Sequence, residues 1–350
     1  MSYQNLANQL RPKFFKDFIA NEHIVLILKN MLLSNNIPNG IIFSGVRGVG
    51  KTTLSRLLAR AINCYSPNGH EPCGVCESCT AENHPDIVEL SGATHGKVDD
   101  VRKLIDQTSY SPMLSRKKVF IIDEAQGLGI SQSSWDTLLK VLEEPPEHIL
   151  WIFCTTQKGK IPETIKSRLV SLDLRLIPTN DITNYIANIL PTNGDLIVPG
   201  IIARNANNSL RDALTLCEKI IPYCNDHGWS AEAVNSVLGT FSNDQISNIL
   251  QCIISHDSAC LWKLLESLIA NGVDHNIIFE DGLVKPLSDL VTITLGGFVD
   301  NSSLYEEPFK QLGVPRIMYL SNILLNRTQQ FINTTNKKLV LQILAMELCA

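Results

Sequence analysis

Gly40-Ile41-Ile42-Phe43-Ser44-Gly45-Val46-Arg47-Gly48-Val49-Gly50-Lys51-Thr52 is an apolar run that turns directly into glycines and ends on a lysine and a hydroxyl. Its second half, Gly45 to Thr52, fits G-x-x-x-x-G-K-[ST] without a mismatch. Three glycines let the backbone curl so that successive N–H groups point inward at phosphate oxygens. The helix that follows adds its positive N-terminal end. Lys51 is then placed to reach the β- and γ-phosphates of ATP, and the Thr52 hydroxyl to ligate Mg²⁺, with Thr53 completing the nucleotide-binding stretch. Leu54, Leu57, Leu58, Ala61 and Ile62 follow at helical spacing. A strand, a glycine turn and a helix in that order indicate an α/β fold.

Working outward, Ile87-Val88-Glu89-Leu90, Val119-Phe120-Ile121-Ile122 and Leu150-Trp151-Ile152-Phe153-Cys154 read as further short strands. Continuous apolar strands separated by helices predict a parallel sheet covered on both faces. Beyond Leu176-Ile177-Pro178 the strand signals stop, and Ile182, Tyr185, Ile186 and Ile189 begin an amphipathic helical pattern. A second helical set starts near Ser230 and runs to the end, with a break expected from Gly296 to Pro308. The expected domains are 1–178 (α/β), 179–240 (helical) and 241–350 (all-α).

The strand Val119–Ile122 ends in Asp123-Glu124. An Asp there can hold the Mg²⁺ of a phosphate-loop site, and the next acid is placed as general base for the attacking water. A solvated acidic turn is the plain alternative for the pair taken alone. Cys64, Cys73, Cys76 and Cys79 give C-x8-C-x2-C-x2-C. Two C-x2-C steps let a tight turn present thiolates to one point, and four thiolates make a closed, structural Zn²⁺ site. Free thiols or an iron–sulfur cluster are the alternatives, and His70 or His84 lies near enough to replace a sulfur. The other six cysteines (Cys154, Cys217, Cys224, Cys252, Cys260, Cys349) sit in apolar stretches and read as small buried hydrophobes.

Bulk properties narrow the classes. Hydrophobic residues make up 44% and charged residues 19% of the 350, which suits a water-soluble chain. No run approaches the roughly 20 apolar residues of a membrane span, and Met1 to Lys13 lacks the apolar core of a secretory signal. A cytoplasmic protein with no membrane partner is expected. Its formal charge of −5 means that any DNA contact is local or shared among subunits, since broad DNA-binding surfaces are basic.

The order of phosphate loop, cysteine knuckle, Asp-Glu strand, Leu138-Leu139-Lys140-Val141-Leu142-Glu143-Glu144-Pro145-Pro146 and Ser167-Arg168 resembles the gamma/tau subunits of DNA polymerase III, the AAA+ motors of sliding-clamp loaders. The resemblance is strongest over residues 1–220 and weak after about 240. It implies an ATPase domain with a zinc knuckle, a helical lid and a C-terminal oligomerising collar. It implies that Leu10-Arg11-Pro12 and the segment to His23 close over the adenine, with Arg11 and Pro12 in the nucleotide site. It further implies that Thr156, or its neighbour Thr155, senses the γ-phosphate. Arg168 would reach across to a neighbouring subunit's ATP, and Arg211, in Asn208-Ser209-Leu210-Arg211, would be the second sensor. For both arginines a surface salt bridge is the plain alternative.

The implied partners are copies of the chain, delta- and delta-prime-like subunits in a ring of five, the sliding clamp, and primer–template DNA. Gly96-Lys97 is the candidate for DNA phosphate contact, against a merely solvated lysine. Three positions depart from the family pattern: Leu169 for the usual Cys, Gln126 for the usual His, and Asn208 where Gly is common. None removes a charged catalytic group. With no proline-rich linker before Ala350, the short gamma form is expected. The alternatives are another AAA+ DNA-remodelling ATPase, or a non-catalytic clamp-loader subunit.

Overall fold

The computed structural model describes residues 5–350 apart from 82, 95–97, 131, 193, 271 and 300–301. The chain forms two compact units, Met1–Glu218 and Lys219–Ala350.

In the first unit β1 (Gly40–Ser44), β2 (Ile87–Ser91), β3 (Lys118–Asp123), β4 (Ile149–Thr155) and β5 (Val170–Asp173) form one sheet in the order β2-β3-β4-β1-β5. Every pairing is parallel. Helix α1 (Glu22–Leu33) precedes β1, and α2 (Lys51–Ile62) follows it. Next, α3 (Val98–Thr108) joins β2 to β3, and α4 (Gln132–Glu143) joins β3 to β4. Beyond β5 the described residues are helical: α5 (Thr179–Ala187), α6 (Ile197–Asn205), and α7 (Leu210–His227), which begins in this unit.

Alternate residues of the central strands enter different cores. Ile41, Phe43, Val119, Ile121, Leu150 and Ile152 pack with Leu28 of α1 and Leu54 and Leu58 of α2. Ile42, Phe120, Ile122, Trp151 and Phe153 pack with Leu104 of α3 and Trp135 and Leu138 of α4. With both faces covered, the period-two alternation of a half-exposed strand vanishes, and each strand reads as an unbroken apolar run. Each such large side chain, buried in full, contributes roughly 1.5–3 kcal/mol relative to exposure.

The fifth strand carries no such run. β5 lies at the sheet edge beside β1, and of its four residues only Leu172 is buried. Leu169, just before it, packs onto the start of β1, where a Cβ at Gly40 would lie 2.4 Å from Leu169 Cδ2. That apolar contact accounts for leucine at one of the three departures from the family pattern.

The second unit contains α8 (Ala231–Leu238), followed by α9 (Asn243–Ile254), α10 (Ser258–Ala270), α11 (Lys285–Thr294), α12 (Ser303–Asn333) and α13 (Lys337–Cys349), and these last five surround one apolar core. Ser242 and Gln245 form a reciprocal capping box at the start of α9. α12 bends where Gly313 takes φ 67° ahead of Pro315, because the proline cannot continue the hydrogen-bond ladder. The break expected up to Pro308 is shorter, since α12 resumes at Ser303. Cys252 and Cys260 are not isolated small hydrophobes. Their Cα atoms are 6.0 Å apart, the span a disulfide bridges. Among the described residues no helix is long and apolar enough to cross a membrane.

Asp86, ahead of β2, is only 1% exposed. Its carboxylate accepts the backbone N–H groups of Met113 (2.7 Å), Leu114 (2.8 Å) and Ser115 (2.9 Å). Asp86→Ala strands these donors and is expected to destabilise the first unit by about 3 kcal/mol, read as a lowered midpoint in urea.

Candidate nucleotide site and cysteine cluster

The carboxyl ends of β1, β3 and β4 share one edge of the sheet, where open parallel sheets hold their ligands. After Ser44 the backbone passes through left-handed conformations at Gly48 (φ 83°) and Gly50 (φ 98°). Crowding adds to the conformational demand. A Cβ at Gly48 would sit 1.9 Å from Ser209 Oγ, and one at Gly50 would sit 2.8 Å from the Phe18 ring. The turn delivers Lys51 to the first turn of α2, where its Nζ donates to the carbonyls of Gly45 (2.8 Å) and Val46 (2.7 Å). Burial pushes the Lys51 pKa below the usual lysine value, while the Glu124 and Asp123 carboxylates pull it back up. One residue on, Thr52 Oγ1 donates to Asp123 Oδ2 at 2.8 Å, which sets side by side two oxygens of the kind a magnesium ion takes.

These groups line a cavity of ≈ 410 Å³, within the usual range for small-molecule sites. Arg11, Arg47, Lys51, Arg56 and Arg211 supply its positive charge, against Glu89, Asp123 and Glu124. Arg56 holds Glu89 through two bonds of 2.6 Å. Burial lowers the pKa of Arg11, and the neighbouring Arg56 adds to the effect. Crowded cations at the end of a helix make a site for a polyanion. Pro12, Phe18, Ile19, Ile177 and Leu214 give the cavity an apolar wall as well.

Glu124 adopts φ 48°, an uncommon conformation for a residue with a side chain and one that recurs at functional sites. The turn aims its carboxylate at the end of β4. There Gln126 Nε2 donates to Glu124 Oε2 and, at 3.0 Å, to Thr156 Oγ1. Thr156 Oγ1 lies 3.3 Å from the same Glu124 oxygen. Thr155 Oγ1 donates to Gln126 Oε1 at 2.7 Å. Gln126 therefore ties the acid to both strand-end threonines.

The sulfurs of Cys64, Cys73, Cys76 and Cys79 all lie within 4.8 Å of one another, close to the roughly 3.8 Å spacing of a tetrahedral thiolate set. Backbone N–H groups already point at two of them, from Cys73 to Cys64 Sγ (3.2 Å) and from Cys76 to Cys73 Sγ (3.3 Å). Hydrogen bonds from the Val75 and Cys76 backbone lower the Cys73 pKa to about 6, while burial pushes the Cys64 and Cys79 thiols up. The donor set fits zinc. Neither histidine joins it: His84 Nδ1 accepts the Asp86 N–H and its Nε2 meets the hydroxyls of Ser78 and Ser115. His70 lies against Glu71.

The family model for the DNA polymerase III delta subunit matches residues 20–178. DNA polymerase III subunit tau of Escherichia coli K12 is 37% identical over 289 residues, covering 81% of this chain and 44% of that protein. DNA polymerase III subunit gamma of Buchnera aphidicola subsp. Baizongia pistaciae is 34% identical over 331 residues, covering 92% of this chain and 88% of that one. The chain belongs to the DNA polymerase III gamma/tau family. It spans about half the length of the tau relatives. Among solved structures, the Thermotoga maritima RuvB Holliday junction branch migration motor superposes with a TM-score of 0.51 at 19% identity, over 88% of this chain and 94% of that one. The likeness is one of fold, a parallel five-stranded sheet flanked by helices and followed by a mostly helical region.

In this gamma/tau chain Arg211, in the first turn of α7, lines the cavity, whereas Arg168 does not. Arg168 pairs at 2.5 Å with Glu143 at the end of α4 and donates to the Thr164 carbonyl at 2.6 Å. Asn208, leading into α7, sits at φ 59° and donates to the Ile177 carbonyl at 2.8 Å. Asn tolerates this left-handed geometry better than most residues, which accounts for its standing in for glycine. Gly96 and Lys97, the candidates for DNA contact, lie outside the described residues. Pro12, Phe18 and Ile19 fall within the segment expected to close over the adenine, whereas sequence reasoning missed Ile177 and Leu214, the Arg56–Glu89 pair and the part played by Gln126. Arg56 at the fifth position past Lys51, on the same helix, was a usable signal for the pair; nothing local marks Ile177 or Leu214.

Gly48→Ala places a methyl group against Ser209 in a conformation that resists it. It is expected to weaken nucleotide binding by at least about tenfold while leaving far-UV circular dichroism unchanged, as measured by titration of a fluorescent ADP analogue.

Proposed function

We propose that this chain is the ATP-hydrolysing motor subunit of a sliding-clamp loader in DNA replication. The observation that carries it is the convergence of Lys51, the Thr52–Asp123 pair and Arg211 on one basic cavity in a gamma/tau family chain. Gly45, Val46, Arg47, Gly48, Val49, Gly50, Lys51, Thr52 and Thr53 cradle the phosphates of ATP, and Arg11 and Pro12 lie over the base. Thr52 and Asp123 hold Mg²⁺, which neutralises charge on the phosphates. Glu124, oriented by Gln126, takes a proton from the attacking water. Thr156 and Arg211 report the state of the γ-phosphate. Arg168 stands apart from its own chain's cavity and acts on a neighbour's ATP, exchanging Glu143 for phosphate oxygens.

The partners are other copies of the chain, delta- and delta-prime-like subunits in a ring of five, the clamp, and primer–template DNA, in the cytoplasm. Residues 1–178 serve as the ATPase domain, 179–240 as the lid and 241–350 as the collar. ATP drives clamp opening only insofar as clamp and DNA bind the ATP state better than the ADP state. An intact phosphate loop favours this role over a non-catalytic subunit, and the cysteine knuckle favours it over another remodelling ATPase.

Hydrolysis by the assembled complex is expected to rise at least about tenfold with clamp and primed DNA together. Both Lys51→Ala and Arg168→Ala should abolish that rise, while only Lys51→Ala abolishes nucleotide binding by the isolated chain. Stimulation that survives Arg168→Ala in the complex would overturn the action of Arg168 on a neighbouring site. Elemental analysis of the purified chain is expected to find one zinc per chain, lost in Cys73→Ser together with cooperative melting of residues 64–80 in hydrogen exchange.

A further inference from the structure

The cysteine knuckle touches the N-terminal segment that lines the nucleotide cavity, chiefly through one side chain. Glu71 sits on a two-residue bridge in which Asn68 and Glu71 exchange backbone hydrogen bonds of 2.9 and 3.1 Å, two residues before Cys73. Its carboxylate leaves the knuckle and accepts two consecutive backbone N–H groups of the N-terminal segment, from Phe15 to Oε2 at 2.7 Å and from Lys16 to Oε1 at 3.0 Å. Lys29 of α1 lies 3.9 Å from Oε1 and supports the same carboxylate. A second contact runs alongside: Gly74 faces the Phe14 ring so closely that a Cβ there would meet it at 2.9 Å.

The segment so held walls the cavity. Phe15 is buried in the core beneath the phosphate-loop helix. Three residues past Phe15, the Phe18 ring lies against Gly50 of the phosphate loop and lines the cavity with Ile19. A carboxylate gripping two successive N–H groups fixes both the position and the direction of a backbone that makes no sheet or α-helical ladder of its own. The segment itself has only the single 3₁₀ turn Phe15–Asp17, without a side-chain cap.

We propose that the knuckle is a brace for the nucleotide cavity, with Glu71 as the positioning residue that preorganises the wall formed by residues 14–19. The proposal rests on the cavity being the nucleotide site. Without the brace the wall samples other positions, and the apparent affinity falls by the fraction of chains in which the wall is in place. Glu124, held by Gln126 and Thr156 rather than by this segment, keeps its chemistry.

The test compares wild type, Glu71→Ala and Lys51→Ala. For Glu71→Ala the dissociation constant of a fluorescent ADP analogue and the KM for ATP are expected to rise together by about tenfold. The kcat stays within about twofold, and hydrogen exchange at the Phe15 and Lys16 amides accelerates. Glu71→Gln keeps the side-chain volume and one acceptor oxygen, so it is the second variant should the alanine fail to fold, with the same direction expected. Wild-type nucleotide affinity in a Glu71 variant whose two amides have lost protection overturns the brace. If Lys51→Ala also binds nucleotide as wild type does, the nucleotide site itself has been misplaced; if Lys51→Ala loses binding, only the brace fails.

Discussion

A parallel sheet covered on both faces has nowhere to put a polar group except at the ends of its strands. Everything at the candidate site follows from that constraint. The interiors of β1, β3 and β4 are apolar on both sides, and polarity appears abruptly at Ser44, Asp123 and Thr155. Because the strands are parallel and in register, with Ser44 level with Thr155 and with Asp173, these ends fall on one edge. The chain then leaves β1 through glycines, so that backbone rather than side chain occupies that edge. Thr52 and Asp123, 71 positions apart in sequence, meet there because two strands and a helix of fixed rise bring them level.

The cavity is basic although the whole chain carries −5. Five cations line it, and they are separated in sequence from Arg11 to Arg211. Their mutual repulsion is relieved in part by Glu89, which holds Arg56, and in part by the acids at the end of β3. A polyanion entering such a site replaces repulsion with attraction, so the arrangement favours a phosphate ligand on electrostatic grounds independent of the loop motif. Lys51 illustrates the balance: burial lowers its pKa, and the Glu124 and Asp123 carboxylates work against that shift.

What the sequence made legible was whatever is local. The phosphate loop is contiguous, the cysteines lie within 16 residues of one another, and three of the five strands are unbroken apolar runs, with a fourth, β2, interrupted only by Glu89. β5 escaped notice because an edge strand that buries only Leu172 gives no pattern. Ile177 and Leu214 of the apolar wall escaped because they come from segments distant from the loop and differ in no way from core residues until folding turns them to the cavity. Gln126 was visible as a departure from the family pattern, but its two-sided amide bridge depends on where β4 ends. The N-terminal segment's tie to Glu71 joins an unmarked acid to two backbone amides, and amides carry no signal in a sequence. Where the family and the chain differ, local geometry supplies the reason: Leu169 fills space over Gly40, and Asn208 adopts the left-handed turn a glycine would take.

The loop held by Asp86 has a consequence for the molecule's outer surface. Met113 is 80% and Tyr110 67% exposed, large apolar groups facing water. Ordinarily such residues fold inward or leave the chain floppy. Here the backbone is anchored from below by a carboxylate, so its shape owes nothing to what the side chains above it are. The display and the anchoring are separate. The side chain at 113 is therefore free to vary in evolution, or to be redesigned, without disturbing the backbone that Asp86 holds, whereas Tyr110 lies outside that hold with its ring under Lys118.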